Sequence, residues 1–127
     1  MKKARKLSQA AVLARVRYWK DRLNLNDYKV GVAFGPDENT EDDADAECSA
    51  MPEYLAATIR FNLDAIPVKE IDSFIVHELL HMPAWRLANF ARVMCGEDAA
   101  KLETLREHEE LLVTHFERVV IRLERGA

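Results

Sequence analysis

The segment that decides the fold is P-V-K-E-I-D-S-F-I-V-H-E-L-L-H-M, residues 67–82 of a chain of 127 residues. Proline suits the first turn of a helix, and apolar side chains then recur at helical spacing, at Val68, Ile71, Ile75, Leu79 and Met82. His77 and His81 fall off that stripe, one helical turn apart on the same flank. This spacing brings two imidazoles within reach of one metal ion, with Glu78 beside them.

The order H-E-x-x-H is a pattern in which the glutamate works together with a metal ion. Two imidazoles hold the ion, and the carboxylate of Glu78 accepts a proton from a water molecule that the ion activates. The chain has four His and thirteen Glu, so chance alone produces such a pentad in roughly one sequence in a hundred. The alternative is a pair of hydrogen-bonded structural histidines, and the helical context favours the metal.

The composition predicts a single domain over residues 1–127, since 49% hydrophobic residues are enough for a core. The formal net charge of −4 argues against a dedicated nucleic-acid binder. Residues 1–22 carry eight basic side chains, so a nucleic acid or an acidic partner could bind there, but a solvated helix face is the commoner explanation. No segment is apolar and long enough to span a membrane, and polar residues interrupt any signal-peptide core, so we expect a cytoplasmic protein.

Alternation and turn residues divide the first half of the chain into short elements. We expect an amino-terminal helix over 8–23, strands over 28–34, 46–51 and 54–62, a polar loop over 37–45 and a hairpin connection at 52–53.

The second half of the chain is predicted to be helical. The metal helix over 67–81 must end or kink at Pro83, a helix can resume over 84–94, and a last long helix covers 97–125. The order of elements therefore predicts an α+β fold with a small, three-stranded, mostly antiparallel sheet.

A catalytic zinc site needs a third protein ligand, because two histidines leave the ion too open. The last helix carries an apolar stripe at helical spacing, formed by Leu105, Leu112, Phe116, Val120 and Leu123. Glu109 falls in the gap on that line, and a buried carboxylate is costly unless it is paired or metal-bound. Glu109 is therefore the first choice, Glu110 the second and His108 the third. Pairing of Glu109 with a buried Arg or His is the alternative.

The remaining titratable side chains have weaker claims to a role. Cys48 and Cys95 form no C-x-x-C pair, which excludes a zinc ribbon, and reduced thiols are the default for both. His115 could donate to a tetrahedral oxyanion, but an ordinary surface role is the more common one for such a residue.

Two blocks carry a resemblance to a known family: V-H-E-L-L-H-M-P at 76–83 and E-H-E-E-L-L-V at 107–113. The chain resembles the zincin metallopeptidases whose third ligand is a glutamate on a downstream helix, and most of all the small single-domain members found in bacteriophages and prophages. The resemblance implies a minimal zincin-like fold, zinc bound by His77, His81 and the downstream glutamate, Glu78 as catalytic base, and a peptide substrate bound along an edge strand.

Two departures narrow the resemblance. No glycine and third histidine follow His81, which excludes the metzincin subtype. The SprT-type proteases that act on DNA–protein crosslinks share the pentad, but their usual third ligand is a histidine, and the zinc ribbon that some of them carry is missing here.

The sequence thus predicts a zinc metallopeptidase that cleaves a peptide bond, with manganese, cobalt or nickel able to occupy the same site in vitro. A non-catalytic binding module that keeps the metal for structure is the second hypothesis, and the presence of Glu78 argues against it. A DNA-associated protease or adaptor that docks through the basic amino-terminal helix is the third. The substrate and the oligomeric state cannot be predicted from these residues.

Overall fold

The described part of the chain forms three long helices and three short strands. The computed structural model describes residues 7–35, 46–51 and 56–126. In chain order the elements are α1 (Gln9–Arg22), β1 (Lys29–Phe34), β2 (Ala46–Met51), β3 (Ala56–Phe61), α2 (Ile71–Cys95) and α3 (Ala99–Glu124). A single 3-10 turn, Val68–Glu70, leads into α2. The loop predicted over 37–45 and the hairpin connection predicted at 52–53 lie outside the described residues.

The sheet differs from the prediction. Its strand order is β1-β3-β2, and β1 runs parallel to the central strand β3 while β2 runs antiparallel to it. The α+β fold with a mostly antiparallel sheet is therefore wrong: the described chain is mostly helical, and its small sheet is mixed. The physical reason is the path of the chain, which goes from β1 to the far edge before it returns to the centre. Alternating side chains reveal a strand but not its direction.

The helix α1 confirms the prediction for residues 8–23. Ser8 caps it, because its side-chain oxygen accepts a hydrogen bond from the Ala11 amide at 3.1 Å. Trp19 on this helix is 1% exposed, and its indole Nε1 donates to Asp72 Oδ1 at 2.8 Å. Arg15 Nε donates to the same oxygen at 2.9 Å. These bonds fix the first turn of α2 on α1.

The sequence predicted that the metal helix must end or kink at Pro83, but α2 does not end there and continues to Cys95. Gly96, with a φ of 61°, then ends it. A proline inside a helix removes one backbone hydrogen bond, here the one to the Leu79 carbonyl. Packing of α3 on α2 offsets part of this loss, because these two helices form the most extensive contact between described elements.

The buried core lies between α1, the sheet and the first half of α2. Its largest fully buried side chains are Trp19, Phe61, Ile59, Ile75, Leu79 and Met82. Among the described residues, no helix is both long and apolar enough to cross a membrane.

The apolar stripe predicted for the last helix is not the buried one. Leu112, Phe116 and Leu123 are 46%, 48% and 70% exposed. The buried line of α3 lies one position further round and contains Val113 and Ile121. A helix with apolar residues on two neighbouring lines gives no sequence signal for which line faces the core.

Candidate metal centre

The two histidines of the pentad lie on the side of α2 that faces α3. Their ring centroids are 5.1 Å apart, and the side chains of His77 and His81 are 19% and 15% exposed. Ile75 and Leu79, both fully buried in the core, fix the rotation of the helix that turns the histidines toward α3. The four-residue spacing therefore correctly predicted that the two imidazoles lie close together.

The helix α3 brings Glu110 to both rings. Its Oε2 lies 3.2 Å from His77 Nε2, and its Oε1 lies 3.1 Å from His81 Nε2. Within the described part of the chain, His77, His81 and Glu110 are the group whose donor atoms could hold a metal ion, all within 4.8 Å of one another.

The donor set fits zinc. Two imidazoles and a carboxylate are common zinc ligands, and tetrahedral coordination at ~2.05 Å separates neighbouring donors by about 3.3 Å. The observed separations of 3.1 and 3.2 Å are close to this value. Each Nε2 faces a carboxylate oxygen, so either an N–H proton or a metal ion must lie between the two acceptor lone pairs.

Two further carboxylates of α3 face the other nitrogen of each ring. Glu117 Oε1 lies 3.1 Å from His77 Nδ1, and Glu109 Oε1 lies 3.5 Å from His81 Nδ1. Their side chains are 18% and 10% exposed. An ionised carboxylate only accepts hydrogen bonds, so it favours the tautomer with a proton on Nδ1 and leaves the Nε2 lone pair for a metal.

Glu109, the first choice for the third ligand, has a side chain that is only 10% exposed, but it is not a member of this group. Its second oxygen lies 3.9 Å from Arg92, whose guanidinium stacks 4.6 Å from the centroid of the Trp85 ring. Glu109 thus contacts a histidine and an arginine, which was the alternative considered for it. The identity of the third ligand stays a prediction, and the geometry favours Glu110.

The other candidates do not belong to the donor group. His108 is exposed and does not belong to the donor group. His115 is also exposed, and its ring lies against Phe116 with centroids 5.7 Å apart. Neither Cys48 nor Cys95 belongs to the group.

Glu78 is the most buried charged side chain described, with 7% exposure. It lines a cleft of ≈ 390 Å³ together with His77, Phe74 and Glu117, so its carboxylate lies at the border between protein and solvent. A carboxylate that lines a cleft beside His77 is accessible to a water molecule and could accept a proton from it.

The edge strand β2 reaches the same region through Cys48. Burial, together with the negative charges of Glu78 and Glu109, raises the pKa of the Cys48 thiol to about 12. The thiol is therefore protonated at neutral pH.

Sequence reasoning missed Glu117 and Arg92 as parts of the site. A signal for Glu117 was present, because Glu110 and Glu117 are seven residues apart and so lie on one side of α3, two turns from each other. Both carboxylates can therefore contact the histidines of the antiparallel helix α2: Glu110 contacts His77 and His81, and Glu117 contacts His77. No comparable signal linked Arg92 to Glu109.

The comparisons with known proteins were negative: no family model matches the chain, and no curated protein or solved structure matches it significantly.

Proposed function

We propose that this protein is a zinc-dependent peptidase, with His77, His81 and Glu110 as metal ligands and Glu78 as general base. The observation that carries the proposal is the convergence of both Nε2 atoms on the Glu110 carboxylate, at 3.1 and 3.2 Å, beside the buried Glu78. The likeness of the two sequence blocks to glutamate-type zincin peptidases supports the same chemistry. A cytoplasmic location and a phage origin stay predictions.

The reaction proposed is hydrolysis of an amide bond. A bound zinc ion supplies Lewis acidity, which polarises the substrate carbonyl and makes water acidic enough to ionise near neutral pH. Glu78 accepts the proton of the attacking water and then delivers it to the leaving nitrogen. Its place in the cleft wall next to His77 suits both transfers.

Glu117 and Glu109 are positioning residues in this scheme. Each faces the Nδ1 atom of one histidine and fixes the orientation of its ring. Arg92 lies 3.9 Å from the second oxygen of Glu109 and so helps to keep this carboxylate near His81 Nδ1.

The test is the substitution Glu78→Gln, which keeps the size of the side chain and removes the base. We expect one zinc per chain in parent and variant, and loss of cleavage of a quenched peptide library in the variant alone. Glu103→Gln, on the exposed part of α3, is the matched control and should cleave like the parent. Equal cleavage by parent and Glu78→Gln would contradict the assigned role.

A non-catalytic module stabilised by metal is the second candidate. The contacts of Glu109, Glu110 and Glu117 with the two histidines join α2 to α3, so a bound ion would also crosslink these helices. This candidate predicts a zinc-dependent rise in the melting temperature with no peptidase activity in the parent.

A further inference from the structure

A second cleft continues the one beside Glu78. It has a volume of ≈ 300 Å³ and shares Ser73 and Glu117 with the first cleft. Its other lining residues are Arg118, Ile121, Arg122 and Arg125. The two clefts form one groove, which we call the α2/α3 groove, from the candidate metal centre toward the carboxyl end of α3.

Three arginines give the far end of the groove a positive charge. Arg118, Arg122 and Arg125 follow the spacing i, i+4, i+7 and therefore share one side of α3. Like charges at this spacing repel each other. The helix dipole favours cations in the last turn, which accounts for Arg122 but not for Arg118, about two turns from the end.

These arginines have no ion pair with any described residue, unlike the other arginines near them. Arg22 is paired with Glu124 at 2.6 Å, and Arg15 with Asp72 at 2.9 Å. The nearest acid in the groove, Glu117, faces His77 Nδ1 at 3.1 Å. Glu117 and Glu124, the two acids of α3 next to these arginines in sequence, are therefore paired with His77 and Arg22. The three guanidinium groups are left to bind a ligand from solution, and Glu70 lies in the first cleft, away from them along the groove.

The distances suit a peptide that crosses the metal centre. Along the axis of α3, Ile121 and Arg125 lie ~6 and ~12 Å beyond Glu117, at 1.5 Å per residue. An extended peptide advances ~3.3 Å per residue, so these positions correspond to about two to four residues from the bond at the metal. Guanidinium groups bind carboxylates through paired hydrogen bonds.

We propose that the α2/α3 groove binds acidic peptide segments, so that the preferred substrates carry Asp or Glu about two to four residues to one side of the cleaved bond. This inference rests on the proposed peptidase function for the cleavage, but binding in the groove does not require turnover. Phe74, in the wall of the first cleft, offers an apolar surface to the residue between the metal and the acidic group.

The experiment measures binding to zinc-loaded Glu78→Gln protein by fluorescence anisotropy. Two labelled peptides are compared, one with glutamates and one with glutamines at the same positions. We expect roughly five- to tenfold tighter binding of the acidic peptide at low salt, lost in the double variant Arg118→Gln/Arg122→Gln. Arg106→Gln, at an exposed position of α3 outside the groove, is the control and should keep the preference.

Three results would overturn the inference: equal binding of both peptides, a preference that survives the double variant, or tighter binding of a single-stranded oligonucleotide through the same arginines. We expect the circular dichroism of the double variant to match that of the parent, because all three arginines are exposed. Cleavage by the parent separates the two proposals. If the groove binds the acidic peptide but the parent cleaves neither peptide, only the peptidase function is contradicted. If the parent cleaves both peptides equally, only the groove inference is contradicted.

Discussion

Glu109 and Glu110 are neighbours in the sequence but contact opposite nitrogens of His81. Glu110 lies 3.1 Å from Nε2, and Glu109 lies 3.5 Å from Nδ1. Neighbouring helical residues differ by about 100° in direction, so a helix that packs against the ring can place one carboxylate on each side. The two side chains should therefore have different effects on metal binding.

We expect Glu110→Ala to weaken zinc binding more than a hundredfold, because a ligand is lost. Glu109→Ala should weaken it by about 10- to 100-fold, since only the orientation of the ring is affected. Competition with a chromogenic chelator measures both affinities. If Glu109→Ala abolishes binding while Glu110→Ala retains it, Glu109 is the third ligand.

At the Cys48 thiol, burial and the nearby carboxylates raise the pKa to about 12. Because only the thiolate reacts with iodoacetamide, we expect Cys48 in the native protein to be alkylated far more slowly at pH 8 than in urea. The folded protein keeps the thiol proton at pH values above 9.0, the ordinary pKa at which the unfolded chain loses it. The free energy of unfolding therefore falls as the pH rises from 9 toward 12. Mass spectrometry of the labelled peptides measures the rate. Equal rates in native and unfolded protein would contradict the raised pKa.

At the scale of the elements, one carboxylate holds α1 to α2. Asp72 accepts hydrogen bonds from the buried Trp19 and from Arg15. Asp72→Ala leaves the indole N–H without a partner, which should lower the free energy of unfolding by about 1–3 kcal/mol. Asp72→Asn keeps an acceptor oxygen and should cost less. Urea denaturation measures both, and an equal loss in the two variants would contradict the role of the hydrogen bond.

Pro83 is exposed within the continuous helix α2. An interior proline is less favourable than alanine by ~3 kcal/mol in an isolated helix, and tertiary packing recovers part of that. We expect Pro83→Ala to raise the free energy of unfolding by at least ~1 kcal/mol. Asn89→Ala, at another exposed position of the helix, should raise it by only about 0.3–0.6 kcal/mol. Thermal denaturation compares them. A destabilised Pro83→Ala variant would show that packing on α3 needs the proline.

The same helix shows where sequence reasoning stops. The stripe of Ile75 and Leu79 predicted the orientation of the histidines, because one face of an amphipathic helix must be buried. A helix over 84–94 was predicted, but not that it continues the metal helix through Pro83, since this depends on α3, which packs against α2 from a later part of the chain. Sequence patterns describe the local geometry of a helix. Whether the helix continues through a proline depends on packing against an element that is distant in sequence, here α3.

At the scale of the whole molecule, the sequence does not show which strands and helices pack against each other. Strands were predicted at their places, but the parallel pairing of β1 with β3 follows from a chain path that no residue pattern encodes. The burial of Glu109 was predicted, yet the neighbouring stripe with Leu112 and Phe116 is exposed. Two carboxylates one position apart can exchange the roles of ligand and orienting group when the rotation of α3 changes slightly.

Zinc content is the most direct test of the metal centre. Protein purified without chelator, supplied with zinc and dialysed, is measured by atomic absorption for the parent, for His81→Ala and for the exposed control His108→Ala. We predict one zinc per chain in the parent and the control, and none retained by His81→Ala. A parent that retains no zinc, or a His81→Ala variant that retains as much as the parent, would contradict the metal centre and with it the proposed function.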